Sequence, residues 1–355
     1  MKKISFNNSN NIFYTTLREK VEQYFEKTKK KTTGNARLYW KAAILMLLAG
    51  VTYSLLLFVP IPGFVSILLC ISFGLNLAAI GFNVMHDGNH GSFSSRKSVN
   101  KIMGLTLNVM GGSDFLWKVK HNYNHHSFTN IEGMDDDIDI KPFIRTNLNQ
   151  RRYWIHRFQN IYWVFFYGLT YLSWVFMNDY QKYFSGKISD TKFRKMTTSE
   201  HLYFWISKIV YYSVFILIPI LTVGWLYWLI GYSIVAFACG LTLGVVFQMA
   251  HIVEETNFPL ADNGTNRIEQ EWAIHQVETT ANFSTRSKWI SWFTGGLNFQ
   301  VEHHLFPKIS HIHYPAINKI VKETCAEFNI AYNEFPNFFS ALKSHVNHLK
   351  NIGTA

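Results

Sequence analysis

The amino-acid sequence predicts an all-α integral membrane protein. Four transmembrane helices form two hairpins, accompanied by interfacial helices and a histidine-rich cap on the cytoplasmic side. The main observation is how the charges are distributed among the 355 residues. No Lys, Arg, Asp or Glu occurs in residues 42–85 or 209–253. Each run is roughly 45 residues long, enough to cross a bilayer twice at about 20 residues per pass. This pattern excludes an ordinary soluble enzyme, a secreted disulfide scaffold and a disordered chain.

Each charge-free run contains a turn near its middle. The first breaks at Pro60-Ile61-Pro62-Gly63, a sequence that favours a tight turn, and predicts helices over about 38–59 and 64–85. The second turns near Gly224, where neighbouring aromatic residues suit a membrane interface, and predicts helices over about 202–221 and 225–250. We therefore expect a membrane domain over 38–320, flanked by cytoplasmic segments 1–37 and 321–355.

The flanks of the hairpins are basic, whereas the turns carry no charge, and the formal net charge of the chain is +11. The positive-inside rule then places both termini and the active site in the cytoplasm of a multi-pass protein, without identifying the membrane. Because the positive charge follows the topology, it does not indicate nucleic-acid binding. Three cysteines are too few for a disulfide framework, and the polar N-terminus does not resemble a cleaved signal peptide.

Two further apolar patches lie between the hairpins, at 101–117 and 153–180. Polar residues interrupt both of them too often for a membrane span. We expect both to form helices at the cytoplasmic interface, where they can dip into the bilayer.

The placement of the 15 histidines is the strongest functional signal. Two clusters come after the first predicted hairpin and a third comes after the second hairpin. Two single histidines lie between the second and third clusters. The clustered residues are His86 and His90, then His121, His125 and His126, then His303 and His304; the single ones are His251 and His275.

Spacing supports a metal site. On a helix, positions i and i+4 share a face, so His86 and His90, and likewise His121 and His125, are expected to converge in pairs. Neutral imidazole binds iron, zinc and copper, and a carboxylate or carbonyl commonly fixes its other nitrogen. Nearby carboxylates are available for that role: Asp87, Asp135, Asp136, Asp137, Asp139 and Glu302.

Seven to nine histidines exceed what one metal can bind, so two metals are expected. No histidine is followed by Glu, which excludes the zinc-protease motif, and no histidine lies inside the predicted spans, as a membrane cytochrome b would require. Two irons would activate O2 and remove hydrogen from an unactivated C–H bond, which side-chain acids and bases cannot do. A position at the membrane surface suggests a substrate with a hydrocarbon tail in the bilayer.

Three boxes carry a family resemblance: HDGNH at 86–90, HNYNHH at 121–126 and QVEHH at 300–304. They resemble those of the membrane fatty acid desaturases, over about residues 40–320. The stretch NFQVEHHLFP at 298–307 is especially similar to the front-end, Δ5/Δ6-like group, in which glutamine replaces the first histidine of the third box.

The resemblance implies a di-iron centre, O2 as co-substrate, and a cis double bond introduced into an acyl chain. It also implies that the box histidines ligate the irons, that His251, His275 or both contribute a ligand from between the boxes, and that Gln300 lines the site. The acyl carrier stays open between an acyl lipid and an acyl thioester, as does the position of the double bond.

The electron donor is expected to be a separate protein. Many front-end members carry a fused cytochrome b5 domain with a His-Pro-Gly-Gly motif, and no such motif occurs in this sequence. A ferredoxin, or cytochrome b5 with its reductase, is the expected carrier. Basic residues near the boxes are candidates for binding a lipid head group or an acidic donor. They are Lys118, Lys120, Arg151, Arg152, Arg286 and Lys288.

Two alternatives remain open from the sequence. A di-iron membrane lipid or alkane hydroxylase would use the same centre to add oxygen. A non-catalytic histidine-rich metal protein would be expected to place its ligands at mid-membrane, where the predicted spans offer none.

Overall fold

A computed structural model describes residues 4–9, 11–189, 191–262 and 264–355. Helices dominate, and each described strand is two residues long. The α-helices are α1 Ile12–Thr28, α2 Ala36–Phe58, α3 Gly63–Ile80, α4 His86–His90, α5 Lys97–Gly104, α6 Thr106–Val109, α7 Asp114–Trp117, α8 Gln159–Gly168, α9 Thr170–Ser173, α10 Asp179–Ser185, α11 Thr198–Tyr212, α12 Ile218–Val223, α13 Trp225–His251, α14 Trp272–Glu278, α15 Lys288–Phe293, α16 Gln300–Leu305, α17 Tyr314–Glu327 and α18 Phe338–Thr354.

Shorter elements join these helices. The π-helical segments are Gly81–Met85, Lys118–His125, Trp174–Asn178 and Ser213–Leu217, and the 3-10 helices are Trp154–Phe158 and His311–His313. The strands are β1 Ser5–Phe6, β2 Lys187–Ile188, β3 Thr191–Lys192, β4 Arg267–Ile268, β5 Asn282–Phe283 and β6 Glu334–Phe335. β1 pairs in parallel with β4 and β5 with β6, whereas β2 and β3 are antiparallel.

Four continuous helices are long and apolar enough to cross a membrane: Ala36–Phe58, Gly63–His90, Thr198–Val223 and Trp225–His251. Their starts and ends lie close to the predicted limits, with one informative exception. The second helix was expected to end at residue 85, but it continues through a π-helical turn as far as Gly91, which adopts φ 76°. The first histidine box is therefore the last turn of this long helix.

Local sequence explains where these helices begin. The Asn35 side chain accepts hydrogen bonds from the backbone N–H groups of Arg37 and Leu38, which caps α2. Thr197 and Glu200 form a reciprocal capping box at the start of α11. Gly224 separates α12 from α13 at φ 87°, a conformation that glycine adopts without steric cost.

Helix α13 lies at the centre of the bundle and packs against α3, α8 and α9. Small residues allow close approach: a Cβ atom added at Gly240 would lie 2.5 Å from the carbonyl oxygen of Gly168 in α8, and Gly244 faces the ring of Tyr167. The apolar patch at 153–180, expected to be helical, forms several short helices. One of them, α8, packs along α13, which is long enough to span the membrane.

Several shorter helices pack near the end of the α3–α4 helix that carries the first histidine box. Helices α1, α14, α16 and α17 share an apolar core that includes Leu17, Val277, Val301 and Ile317. Helix α18 packs against α8 and α13. Together these elements surround the histidine boxes.

Candidate metal centre

Eight of the nine histidines predicted to bind metal meet in one buried cluster. They come from the last turn of the α3–α4 helix, the π-helical segment Lys118–His125 and the residue after it, the end of α13, and α16. Each is buried, with at most 9% of its surface exposed. The eight residues are His86, His90, His121, His125, His126, His251, His303 and His304.

The cluster contains two groups whose candidate ligand atoms lie within 4.8 Å of one another. The first group comprises His86, His90, His121 and His303, and the second comprises His125, His251 and His304. His126 lies between them, with its ring centroid 4.6 Å from that of His303 and 4.5 Å from that of His304. The donor sets thus form two adjacent all-nitrogen positions.

Buried nitrogen atoms without partners support metal binding. The Nε2 atoms of His90, His125, His251, His303 and His304 are buried and have no hydrogen-bond partner within the described residues. A buried polar atom without a partner is costly, so several converging on one place indicate a bound group. All-imidazole donor sets of this kind fit iron, zinc or copper.

The Nδ1 atoms of two ligands contact carboxylates proposed from the sequence. His121 Nδ1 lies 2.8 Å from Asp137, and His125 Nδ1 lies 3.0 Å from Asp135. An imidazole that donates Nδ1–H to a carboxylate presents Nε2 as its metal-binding atom. Asp137 with His121 and His125 forms a third set of neighbouring ligand atoms. Because Asp137 already pairs with the Lys120 ammonium, we interpret it as a partner of His121 rather than as a ligand.

Three further partners were not identified from the sequence. His304 Nδ1 donates to Gln276 Oε1 at 2.8 Å, and His303 Nδ1 shares a hydrogen bond of 3.1 Å with the Tyr314 hydroxyl. His251 Nδ1 lies 3.3 Å from the backbone carbonyl oxygen of Thr279. Each box-3 histidine is thus held by an uncharged group, whereas His121 and His125 are each held by a carboxylate.

The electrostatics keep most of these imidazoles neutral. Burial lowers the pKa of His121 to about 4, and lowers the pKa values of His126, His303 and His304 well below the usual range. The neutral form is the one that binds metal. Burial also lowers the pKa of His125, but Asp135 outweighs this effect, so that pKa is raised.

Asp137 stays ionised next to the cluster. Burial alone would raise its pKa, but the Lys120 ammonium and His121 hold that pKa well below its usual range. The prediction that Lys120 binds a head group is therefore corrected: its side chain is mostly buried and pairs with Asp137. Charge balance beside His121 explains this placement, since an unpaired buried carboxylate would be destabilising.

The second histidine box differs from the predicted helical geometry. His121 and His125 were expected to converge because they are four residues apart. Residues 118–125 instead form a π-helix, in which the backbone N–H of His126 bonds to the carbonyl of His121 five residues earlier. The rings of His121 and His125 still lie near each other, 5.1 Å between centroids, as their spacing predicted. The Nε2 atoms of His121 and His126 lie closer, 3.3 Å apart, and His125 joins the second group.

Four other predicted site residues lie outside the two histidine groups. His275 is buried beside the ring of Phe6, 4.9 Å between centroids, and is absent from both ligand groups. The Asp87 carboxylate is directed away from the box histidines in its hydrogen bonding: it accepts from Ser310 Oγ at 2.8 Å and from His311 Nδ1 at 3.0 Å. The remaining two residues, Glu302 and Gln300, belong to α16.

Glu302 bonds to Asn282, Asn318 and Tyr332, so this carboxylate braces the fold around α16 instead of lining the cluster. Gln300 is buried, and neither polar atom of its amide has a partner within the described residues. It lies one helical turn before His303 and His304, which agrees with a position lining the site.

The other predicted cations are dispersed. Lys118 pairs with Asp114 at 2.9 Å, Arg151 stacks on Tyr153, and Arg152 donates to the carbonyl of Gly353. Arg286 and Lys288 are both exposed. These residues and Lys120 therefore do not form one common head-group site.

The two single histidines are expected to respond differently to substitution. His251→Gln should lower bound iron, because His251 belongs to the second ligand group. His275→Gln should leave the metal content within about 20% of wild type, because its ring lies outside both groups. The measurement is iron per chain in purified protein by elemental analysis. Equal losses in both variants would contradict this distinction.

Comparison with known proteins agrees with this arrangement. Residues 62–336 match the family described as fatty acid desaturase. An acyl-lipid (8-3)-desaturase of Physcomitrium patens is 37% identical over 97% of this chain and 72% of its own length. An sn-1 linoleoyl-lipid 6-desaturase of Synechocystis is 35% identical over 97% of this chain and 96% of its own length. A probable Delta(5) fatty acid desaturase of Dictyostelium discoideum is 32% identical over 96% of this chain and 76% of its own length.

Proposed function

The chain belongs to the fatty acid desaturase family and is a desaturase enzyme, and we propose that it introduces a cis double bond into the acyl chain of a membrane lipid. The prediction made from the histidine boxes, a front-end-like desaturase, is thereby confirmed at the level of the family. The names of two relatives refer to acyl chains carried on lipids, which supports a lipid carrier over a thioester.

The observation that carries the proposal is the pair of adjacent histidine groups. We propose that His86, His90, His121 and His303 hold one iron, that His125, His251 and His304 hold the other, and that His126 lies where it can serve either. Iron bound there would supply, with O2, the oxidising power to remove hydrogen from an unactivated C–H bond. Asp135, Asp137, Gln276 and Tyr314 fix the orientation of these imidazoles through Nδ1.

The proposed topology follows from the positions of the helix ends. We propose that α2 and α11 begin, and that the α3–α4 helix and α13 end, on the side where the histidines gather, as two helical hairpins would require. We propose that this side is cytoplasmic, because basic residues flank the spans there and the intervening turns are uncharged. The membrane domain would cover residues 38–320, with segments 1–37 and 321–355 on the cytoplasmic face.

Electrons must reach the centre from a reductant. We propose a separate carrier, a ferredoxin or cytochrome b5 with its reductase, because no His-Pro-Gly-Gly motif occurs in this sequence. The basic cytoplasmic face would favour encounter with an acidic carrier.

The function is tested by expression in a host of defined fatty acid content. We expect new lipids lighter than their precursors by two hydrogens, formed only when O2 is supplied, and absent from the host with an empty vector. Fragmentation of the isolated acyl chains then locates the double bond. A gain of one oxygen would instead indicate a hydroxylase. No new product, despite bound iron and a competent reductase, would overturn the proposal.

A further inference from the structure

A cavity of about 630 Å³ lies beside the first turns of α11, away from the histidine groups. Its walls come from α5, α7 with the π-helical segment after it, the strand β3 with the loop after it, and α11. In the π-helical segment, Val119 and Tyr123 face this cavity, whereas His121 and His125 belong to the metal centre. The cavity is therefore on the reverse face of the segment that carries the second histidine box.

The rim of the cavity is positively charged. It carries four cationic side chains and two carboxylates, namely Lys101, Lys118, Lys192, Arg194, Asp114 and Glu200. Asp114 pairs with Lys118 at 2.9 Å, and Glu200 pairs with Arg194 at 2.6 Å. The two remaining lysines supply the excess of positive charge, which is complementary to an anion.

The floor of the cavity is apolar. The Phe115 ring is buried there, and Val119 and Phe193 are half-buried. The Tyr203 ring lies beneath the Lys101 ammonium at 4.7 Å. On α11 itself, the side chain of Ile206 is 53% exposed on the outer surface of the bundle. A ligand suited to this surface has an anionic end and an apolar body.

We propose that this cavity binds the phosphate-bearing head group of an anionic membrane lipid, whose acyl chains leave along the outer face of α11. The inference rests on the proposed function only in placing this end of α11 at the membrane surface. The apolar floor and the adjoining lipid-facing surface favour a lipid over free phosphate. Lys118, a head-group candidate from the sequence, also lies in this cavity but pairs with Asp114, so Lys101 and Lys192 are the lysines available for charge-assisted contacts to phosphate.

The test compares lipid binding by the full-length protein and by Lys101→Gln/Lys192→Gln. Native mass spectrometry in detergent measures retention of phosphatidylglycerol against phosphatidylcholine. We expect wild type to prefer phosphatidylglycerol, and the double variant to bind it about tenfold to thirtyfold more weakly, because two lysines near an anionic lipid surface are lost. Lys101→Arg/Lys192→Arg should retain binding. Lys308→Gln/Lys343→Gln removes the same charge from exposed sites elsewhere and should have no effect.

Other outcomes overturn the proposal. Equal weakening by the Lys308 and Lys343 control pair would show that only overall charge matters. Displacement of the lipid by millimolar inorganic phosphate would indicate a free-anion site. Normal lipid binding with slower reduction by the electron carrier would identify a protein-docking site instead. Iron content and elution volume show whether each variant is folded. Since lipid retention is measured without turnover, its loss or persistence is independent of whether wild type forms the desaturated product.

Discussion

Replacing His304 with alanine is expected to abolish desaturation while the protein still inserts into the membrane. His304 belongs to the second histidine group, its Nε2 has no partner within the described residues, and its Nδ1 is fixed by Gln276. Even a change to a group that only orients a metal ligand costs about 10–100-fold in affinity or activity. Loss of the ligand itself should therefore exceed a hundredfold in product formation, measured with O2 and a competent reductase.

A graded series separates the role of His304 as a ligand from general damage. Gln276→Leu has nearly the same volume but removes the acceptor for His304 Nδ1, so an intermediate loss of about 10–100-fold is expected. His275→Gln, on the neighbouring residue of α14, should retain activity because its ring lies outside both groups. Full activity in His304→Ala, or equal losses in all three variants, would contradict the assignment. His121→Ala is expected to behave like His304→Ala, since His121 is in the first group.

The four long helices were predictable because their signal is local in sequence. A run without charges fixes a membrane span to within a few residues, and Pro60, Pro62 and Gly224 mark the turns. The continuation of the second helix to His90 was missed for a physical reason. Hydropathy falls at the first box, but the backbone hydrogen bonds continue through the π-helical turn until Gly91.

The histidines of the site were also predictable, but not how they divide between the two groups. Residue spacing assumes the regular period of an α-helix, and a π-helical turn changes which histidines face each other. The residue types around His121 do not indicate that residues 118–125 form a π-helix. The supporting groups Gln276 and Tyr314 were missed because a single amide or phenol carries no motif. Only the tertiary packing of α14, α16 and α17 brings them to the ligands.

A buried ion pair inside the bundle likewise could not be predicted from the amino-acid composition. Lys208 of α11 immediately precedes the charge-free run of residues 209–253. Its ammonium is buried, 3.1 Å from the carboxylate of Asp179 and 2.6 Å from the carbonyl oxygen of Gly111. The other carboxylate oxygen of Asp179 accepts from Trp174 Nε1 at 3.0 Å. The pair therefore ties α11 to α10 and to the turn before α7.

Lys208→Met is expected to destabilise the protein by about 3–5 kcal/mol, because it leaves the Asp179 carboxylate buried without a cation. The free energy of unfolding in mixed micelles measures the effect. Lys208→Met/Asp179→Asn should recover most of the loss, since the amide oxygen still accepts from Trp174 and no unpaired charge remains. Lys118→Met breaks a partly exposed pair and should cost at most about 1 kcal/mol. If the double variant were no more stable than Lys208→Met, packing of the lysine stem, rather than charge pairing, would be what holds these helices together.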